Sequence, residues 1–408
     1  MRLLYALRKN YEGRKRLLEE RGLLCYLRGS SGYVLIIVLI ITTLLVSIAG
    51  EFIVVAQVNI GYGQKLKNSL RANYLAKSGV QLCQFILYAD MKGLNTEMIT
   101  GKATDKDTDS YNDIWAINVP ELPMADGSLK LRIIDENSKI NMSVFATEFT
   151  DRSKFYFLAQ NFFMNMGLPL DIADIIHDWV DVDEQRMPYG AEGHDYYQTL
   201  KPPYTSKNNA MDSVDEMLLL KDMTPEIYYG LGGGNTESEK SEQTLVDDNK
   251  GNTDLPIDKI EEMAGEQEAG KISPREKNLE LVKIGKEKSR KLSDYFTVYG
   301  DRMDYTSEFN KININTASYR VLSALTDKMT PDIVTEIIRR RLIQPYKNDN
   351  EIQALGKEFG IDSTVLERFS VKSSVFRIIS TATVDGVQSK ITAVYNRNNR
   401  SLYYWCEE

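Results

Sequence analysis

The chain has 408 residues, 42 % of them apolar, and 58 acidic against 50 basic side chains give it a net charge of −8. That length holds two or three compact units, and that apolar content can build their cores. An acidic balance excludes bulk attraction to nucleic acid, and three cysteines are too few for a disulfide scaffold.

Residues 1–32 form a basic leader, with Arg2, Arg8, Lys9, Arg14, Lys15, Arg16, Arg21 and Arg28, and end in Ser30-Ser31-Gly32. No residue from Tyr33 to Ala49 is charged, and after Gly50-Glu51 the apolar character resumes from Phe52 to Val58. Residues 33–58 can therefore cross a bilayer core of roughly 30 Å. Basic residues crowd the N-terminal flank, which keeps the leader cytoplasmic and exports everything after Val58. Three processing fates fit this pattern. A signal peptide would be cut after Ser47-Ile48-Ala49, and an uncleaved anchor needs no cut. The third fate is a cut between Gly32 and Tyr33 that leaves the apolar run as the mature N-terminus. A basic leader closing on Gly directly before an apolar block resembles the processing site of type IV pilins and type II secretion pseudopilins.

Leu75, Ala76, Gly79, Val80, Leu82, Cys83, Ile86 and Leu87 recur at helical spacing, which predicts one helix over 33–90, about 85 Å long at its usual rise per residue. Gly61-Tyr62-Gly63 weakens its middle, where a bend or a melted turn is expected. Cys25 lies in the leader, and Cys83 and Cys406 are left either as a disulfide or as two free thiols.

Residues 91–134 supply the first part of a sheet, with strands expected at Ile114–Val119 and Leu129–Ile134 around a turn at Asp126-Gly127. The next clear strands come at the far end, in 375–408. Val375–Val384, Ser389–Tyr395 and Ser401–Trp405 alternate, with turns at Asp385-Gly386 and Asn398-Asn399. A sheet split in this way makes 135–374 an insertion and the whole an α+β body. The insertion is mostly helical by period and start signals, with helices expected over Thr147–Met166, Pro169–Val180, Ser213–Leu220, Pro225–Leu231, Ser318–Leu325, Pro331–Leu342 and Asn350–Phe359. Within it, 232–290 is too polar to bury a core and is expected to be flexible.

The densest chemistry follows the Pro169–Val180 helix. Asp178, Asp181, Asp183, Glu192 and Asp195 come from a helix end and the loop beyond it, and hard oxygen ligands on a bendable loop suit Ca²⁺. An acidic loop that is merely solvated is the alternative. Both histidines of the chain, His177 and His194, fall in the same stretch, which raises the rival of a membrane-attached zinc or manganese hydrolase centred on His177, Asp178 and His194. Ile312-Asn313-Ile314-Asn315-Thr316-Ala317 resembles the opening of a helix-hairpin-helix module. The hairpin position Thr326–Thr330 lacks the glycine a phosphate cradle needs, so DNA binding is not expected. No Gly-x-Ser-x-Gly elbow, phosphate-binding loop or Cys-x-x-Cys pair is present to support an enzyme.

Taken in order from about residue 28 to the end, these landmarks resemble the minor pseudopilin K family of type II secretion. They are the leader closing on Gly32, Ile134-Asp135 with Lys139-Ile140-Asn141, Asp178-Trp179-Val180-Asp181-Val182-Asp183 and Gly190-Ala191-Glu192. Asp195-Tyr196-Tyr197, Pro202-Pro203-Tyr204, Ser213-Val214-Asp215-Glu216-Met217 and Ile312–Ala317 complete them. The leader is longer than that family's, and 232–290 is extra length. The resemblance implies a pilin-like fold, a long N-terminal helix on a small antiparallel sheet with a large helical domain inserted between strands. It implies a non-enzymatic tip or cap subunit of the pseudopilus, cut between Gly32 and Tyr33 by a prepilin peptidase and methylated at Tyr33. Its partners would be the minor pseudopilins I and J, other pseudopilins, membrane lipid and the inner-membrane assembly platform, with no nucleic acid. The precursor would sit in the inner membrane as a single pass with a periplasmic body. Main pseudopilins carry Glu at the fifth mature position, where this chain has Ile37, so a place at the fibre's end is implied; Glu51 is the acidic residue of this helix segment. Calcium in the inserted domain is a further implication, as is a tip subunit of a related type IV pilus as an alternative.

Overall fold

A computed structural model describes residues 2–93, 105–116, 119–124, 127–142, 152–230, 291–300 and 310–408, with backbone alone for 2–32, 119–120 and 152–156. Segment 232–290 and the turn residue Asp126 lie outside the described residues. The chain divides into two units, 1–71 and 72–408.

The first unit is wholly helical, because helix α1 runs from Arg2 to Met91. It therefore begins well before Tyr33. It also continues through Gly61–Gly63, where two glycines were expected to interrupt it; at roughly 1 kcal/mol each relative to alanine, they do not outweigh so many consecutive backbone hydrogen bonds. From Tyr33 onward the helix is long and apolar enough to cross a membrane, and its most apolar window is not buried against the rest of the protein.

In the second unit, Ala72, Ala76, Val80, Cys83 and Leu87 are buried at three- and four-residue spacing, one stripe of α1. They face an antiparallel sheet made of β1 (Val119–Met124), β2 (Gly127–Asp135), β7 (Val375–Val384), β8 (Val387–Asn396) and β9 (Ser401–Glu407), in the order β1-β2-β7-β8-β9. Leu129, Leu131, Ile133, Phe376, Ile378, Ala382, Ile391 and Ala393 form the core with that stripe. Residues Ile114–Ala116 form a 3-10 turn instead of the expected strand. Trp115 is the reason: its ring plugs into the core edge-on to Phe376, centroids 5.1 Å apart, which an extended backbone in register with β2 would not need. Cys83 and Cys406 are both free thiols.

Between β2 and β7 the insertion builds its own core. Its elements are β3 (Ile140–Asn141), α2 (Arg152–Met166), α3 (Asp171–Val180), α4 (Pro225–Tyr229), β4 (Phe296–Thr297), β5 (Ile312–Asn313), α5 (Tyr319–Ala324), α6 (Pro331–Ile343), α7 (Asp349–Phe359), α8 (Ser363–Leu366) and β6 (Phe369–Ser370). Two short parallel ladders, β3 with β4 and β5 with β6, tie it together. Phe162 and Phe163 of α2 meet Phe296 of β4 at 4.9 and 5.7 Å between ring centroids. Thr224 and Thr330 cap α4 and α6 ahead of a proline in the first turn, the start signal expected from the sequence. Ser213–Leu220 is not an α-helix but a 3-10 turn, Val214–Leu219, held by a capping box of Ser213 and Glu216.

A buried hydrogen-bond network joins insertion to sheet. Asp135 Oδ2 accepts from Thr316 Oγ1 at 2.5 Å, Ser373 Oγ at 2.6 Å and Asn313 Nδ2 at 3.3 Å. Asn137 Oδ1 accepts from Ser374 N and Val375 N at 3.0 and 3.1 Å. The Asn-x-Asn-Thr-Ala phrase thus serves structure here.

Candidate functional site

Helix α3 reads DIADIIHDWV, with Asp171 and Asp174 in its first turn and His177 in its last, the charge order a helix dipole favours. Its apolar residues enter the insertion's core, while Asp174, His177 and Asp178 share another face by their spacing. That face organises the following loop. Asp174 Oδ2 accepts from Tyr189 N at 3.1 Å, and both oxygens of Asp178 accept from Met187 N at 3.1 Å. Asp181 ends the helix in extended conformation, its N–H donating to His177 O.

Asp181, Asp183 and Glu192 each offer an oxygen within 4.8 Å of the others, and His177, Asp178 and Asp181 form an overlapping group. Asp178 and Glu192 are fully buried. Glu192 Oε2 accepts from Ser206 Oγ at 3.4 Å, but its Oε1 is buried with no donor among the described residues. Burial, then Asp178 and Asp181, pushes the Glu192 carboxyl up to about 7. Burial pushes Asp178 up to about 6, against the Met187 N–H that lowers it. Carboxylates crowded out of water want either protons or a cation, and an all-oxygen set suits a hard divalent ion.

The five residues singled out from the sequence are not all placed alike. Asp181, Asp183 and Glu192 come together, Asp178 joins Asp181 and His177 in the overlapping group, and Asp195 has other partners. Its Oδ1 accepts from Glu192 N at 2.9 Å and its Oδ2 pairs with Arg186 at 3.0 Å. His177 is buried, with Nδ1 2.9 Å from Asp181 Oδ2. His194 is exposed, pairs with Glu184 at 2.9 Å and joins none of the carboxylate groups among the described residues. The two imidazoles therefore do not build one hydrolase centre. Sequence reasoning missed the part played by Gly190, where a Cβ would overlap Asp178 Oδ2. The Gly-Ala-Glu phrase carried that signal.

The remaining candidates lie elsewhere. Gly32 and Tyr33 fall inside α1, and Tyr33, Ile37 and Glu51 are exposed. The basic run Arg339–Arg341 is consumed within the fold: Arg339 pairs with Glu336 at 2.7 Å, Arg340 with Glu336 and Glu358 at 2.8 and 2.6 Å, and buried Arg341 donates to Ile314 O at 2.6 Å.

A long apolar N-terminal helix whose last turns lie on a small antiparallel sheet defines a pilin-like subunit, here with a second core inserted between two neighbouring strands. Residues 139–232 and 312–372 match two profiles described as type II secretion system, protein K. Over these two stretches the chain is similar to the type II secretion system protein K family. It is similar to the type II secretion system protein K of Aeromonas hydrophila, 25 % identical over 218 residues, which is 50 % of this chain and 62 % of that protein's length. Its fold is similar to a chain in the crystal structure of the GspK-GspI-GspJ complex from the enterotoxigenic Escherichia coli type 2 secretion system. The TM-score is 0.50 with 13 % identity, over 86 % of this chain and 99 % of that one.

Proposed function

We propose that this chain is a minor pseudopilin of a type II secretion system and caps the tip of the pseudopilus. There it helps start assembly, limits growth and aids export of folded proteins. The observation that carries this reading is that the chain has both an exposed apolar helix and a second core of its own inserted into the pilin-like sheet. The helix packs among neighbouring helices in lipid, and the inserted core obstructs the addition of a further subunit. Ile37 supports the terminal position, because a carboxylate in lipid is costly unless a neighbour's N-terminal amine meets it. The chain acts by assembly, not catalysis. Its precursor is held in the inner membrane with the leader cytoplasmic and the body periplasmic, cut between Gly32 and Tyr33 by a prepilin peptidase and methylated at Tyr33. Its partners are the minor pseudopilins I and J, a reading supported by the E. coli chain of similar fold, which was solved in a complex of GspK with GspI and GspJ.

Asp178, Asp181, Asp183 and Glu192 would hold Ca²⁺, and the donor-free Glu192 Oε1 supports that assignment. The ion would supply the positive charge that lets the loop after α3 stay folded at neutral pH. The test is co-purification of the mature full-length chain with tagged I and J subunits from membranes. A complex of the three is expected, with mature chains beginning at Tyr33; a chain starting at Gly50, or one never found with its siblings, would sink the proposal.

A further inference from the structure

A second group of carboxylates lies in the pilin-like body. Asp90 comes from the last turn of α1, and Asp109 and Asp113 from the segment before the Trp115 turn. They are 2, 1 and 3 % exposed, and each offers an oxygen within 4.8 Å of the others. Arg397, just after β8, donates Nη1 to Asp90 Oδ2 at 3.1 Å and Nη2 to Asp109 Oδ2. Ser373 N donates to Asp109 Oδ2 at 2.8 Å and Ser110 N to Asp113 Oδ2 at 2.6 Å. These partners take the Oδ2 atoms. Asp90 Oδ1 and Asp109 Oδ1 are buried with no donor among the described residues.

The charges do not balance. Three carboxylates face one guanidinium, and Lys372, which acts on Asp109, is exposed and pairs with Asp107 at 3.1 Å. A buried carboxylate without compensation costs several kcal/mol, and Asp90 also sits at the negative end of a helix dipole. We infer that Asp90, Asp109 and Asp113 form a site for a divalent cation of calcium's type, separate from the carboxylates after α3 and independent of the function proposed above. Oxygen donors alone select a hard ion. Magnesium keeps several waters when bound, and residues this deeply covered leave little room for them. Arg397 neutralises the third charge and holds two carboxylates in place. The bound ion would fasten the end of α1 to the loop ahead of β1. Burial and mutual repulsion, which raise Asp90 to about 7 and Asp113 to about 8, agree with a site that needs a cation when the protons leave.

The test uses the full chain in detergent, stripped with chelator and titrated with Ca²⁺ by calorimetry, in an Asp178→Asn, Glu192→Gln background that disables the other site. Calcium binding is expected to persist there, and to weaken at least tenfold when Asp113→Asn or Asp90→Asn is added. A readout that leaves the carboxylates intact is terbium luminescence, since Ala116 N donates to Asp113 O and puts Trp115 in the same turn. Emission should be lost in Trp115→Phe and kept in Trp179→Phe. Absence of calcium binding in the background, binding that survives both Asn changes, or emission indifferent to Trp115→Phe would overturn the inference and leave the group holding protons.

Discussion

A Cβ on Gly79 would overlap Ser380 Oγ and stand 2.8 Å from Leu131 Cδ2, while Ser380 Oγ donates to Ala76 O at 2.8 Å. Helix α1 thus lies against β7 with no room for a side chain. Gly79→Leu is expected to cost about 1–3 kcal/mol by overpacking, read by thermal denaturation of the full chain. Gly63→Ala, with nothing within 4 Å of its Cβ, should be neutral or stabilise the helix. Equal melting of Gly79→Leu and wild type would mean that the helix docks elsewhere.

Asp135 and Glu136 are adjacent and buried, yet titrate in opposite directions. Burial raises Asp135 to about 6 despite donors from Ser373 and Thr316. Burial would also raise Glu136, but Lys139 and Arg377 hold it down at about 2. The folded chain therefore keeps the Asp135 proton longer than the unfolded one. Its stabilising share is full below the usual value of 3.8 and is lost as pH rises to about 6. Glu136 contributes above 4.5 and loses that contribution as pH falls toward 2. Urea unfolding of Asp135→Asn across acidic pH should lack the first slope and keep the second. Asp135→Ala should cost about 1–3 kcal/mol for each buried donor it strands.

The processing step is open to a single substitution. Gly32→Val should leave the chain at precursor size on a gel, with an unprocessed N-terminus by sequencing. A normal shift to mature size would remove the peptidase step.

For the loop after α3, a chelator should lower the melting temperature of the wild type. A ligand at a hundred times its Kd stabilises by about 2.7 kcal/mol. Asp181→Ala with Asp183→Ala should remove the share of calcium stabilisation carried by this loop. Indifference of the wild type to chelator would refute the metal claim.

Much of this could be read in advance where side-chain period and turn chemistry agree. Strands β7 to β9 alternate in the sequence, and the turn at Asp385-Gly386 has both residues at positive φ, 48° and 77°, as a two-residue hairpin requires. Ile114–Val119 misled because an apolar run does not reveal that Trp115 must turn inward. The acidic residues after α3 were visible as a cluster, but which would orient the loop and which would face one another depended on hydrogen bonds to Met187 and Tyr189. Asp90, Asp109 and Asp113 went unnoticed because they are split between a helix end and a polar segment. Their cation, Arg397, lies 288 residues beyond Asp109. The acidic run Asp105–Asp113 was the available hint.

Asp135 and Phe376 are register partners on neighbouring antiparallel strands, so the chain departs from the sheet and re-enters it at one rung of the ladder. Facing residues on such a ladder stand about 5 Å apart, a gap that a tight turn can close. The ladder itself therefore sets no limit on how long the detour is, whereas excising it for a short hairpin loop would strand Asp135, whose donors Thr316, Asn313 and Ser373 all lie within the detour.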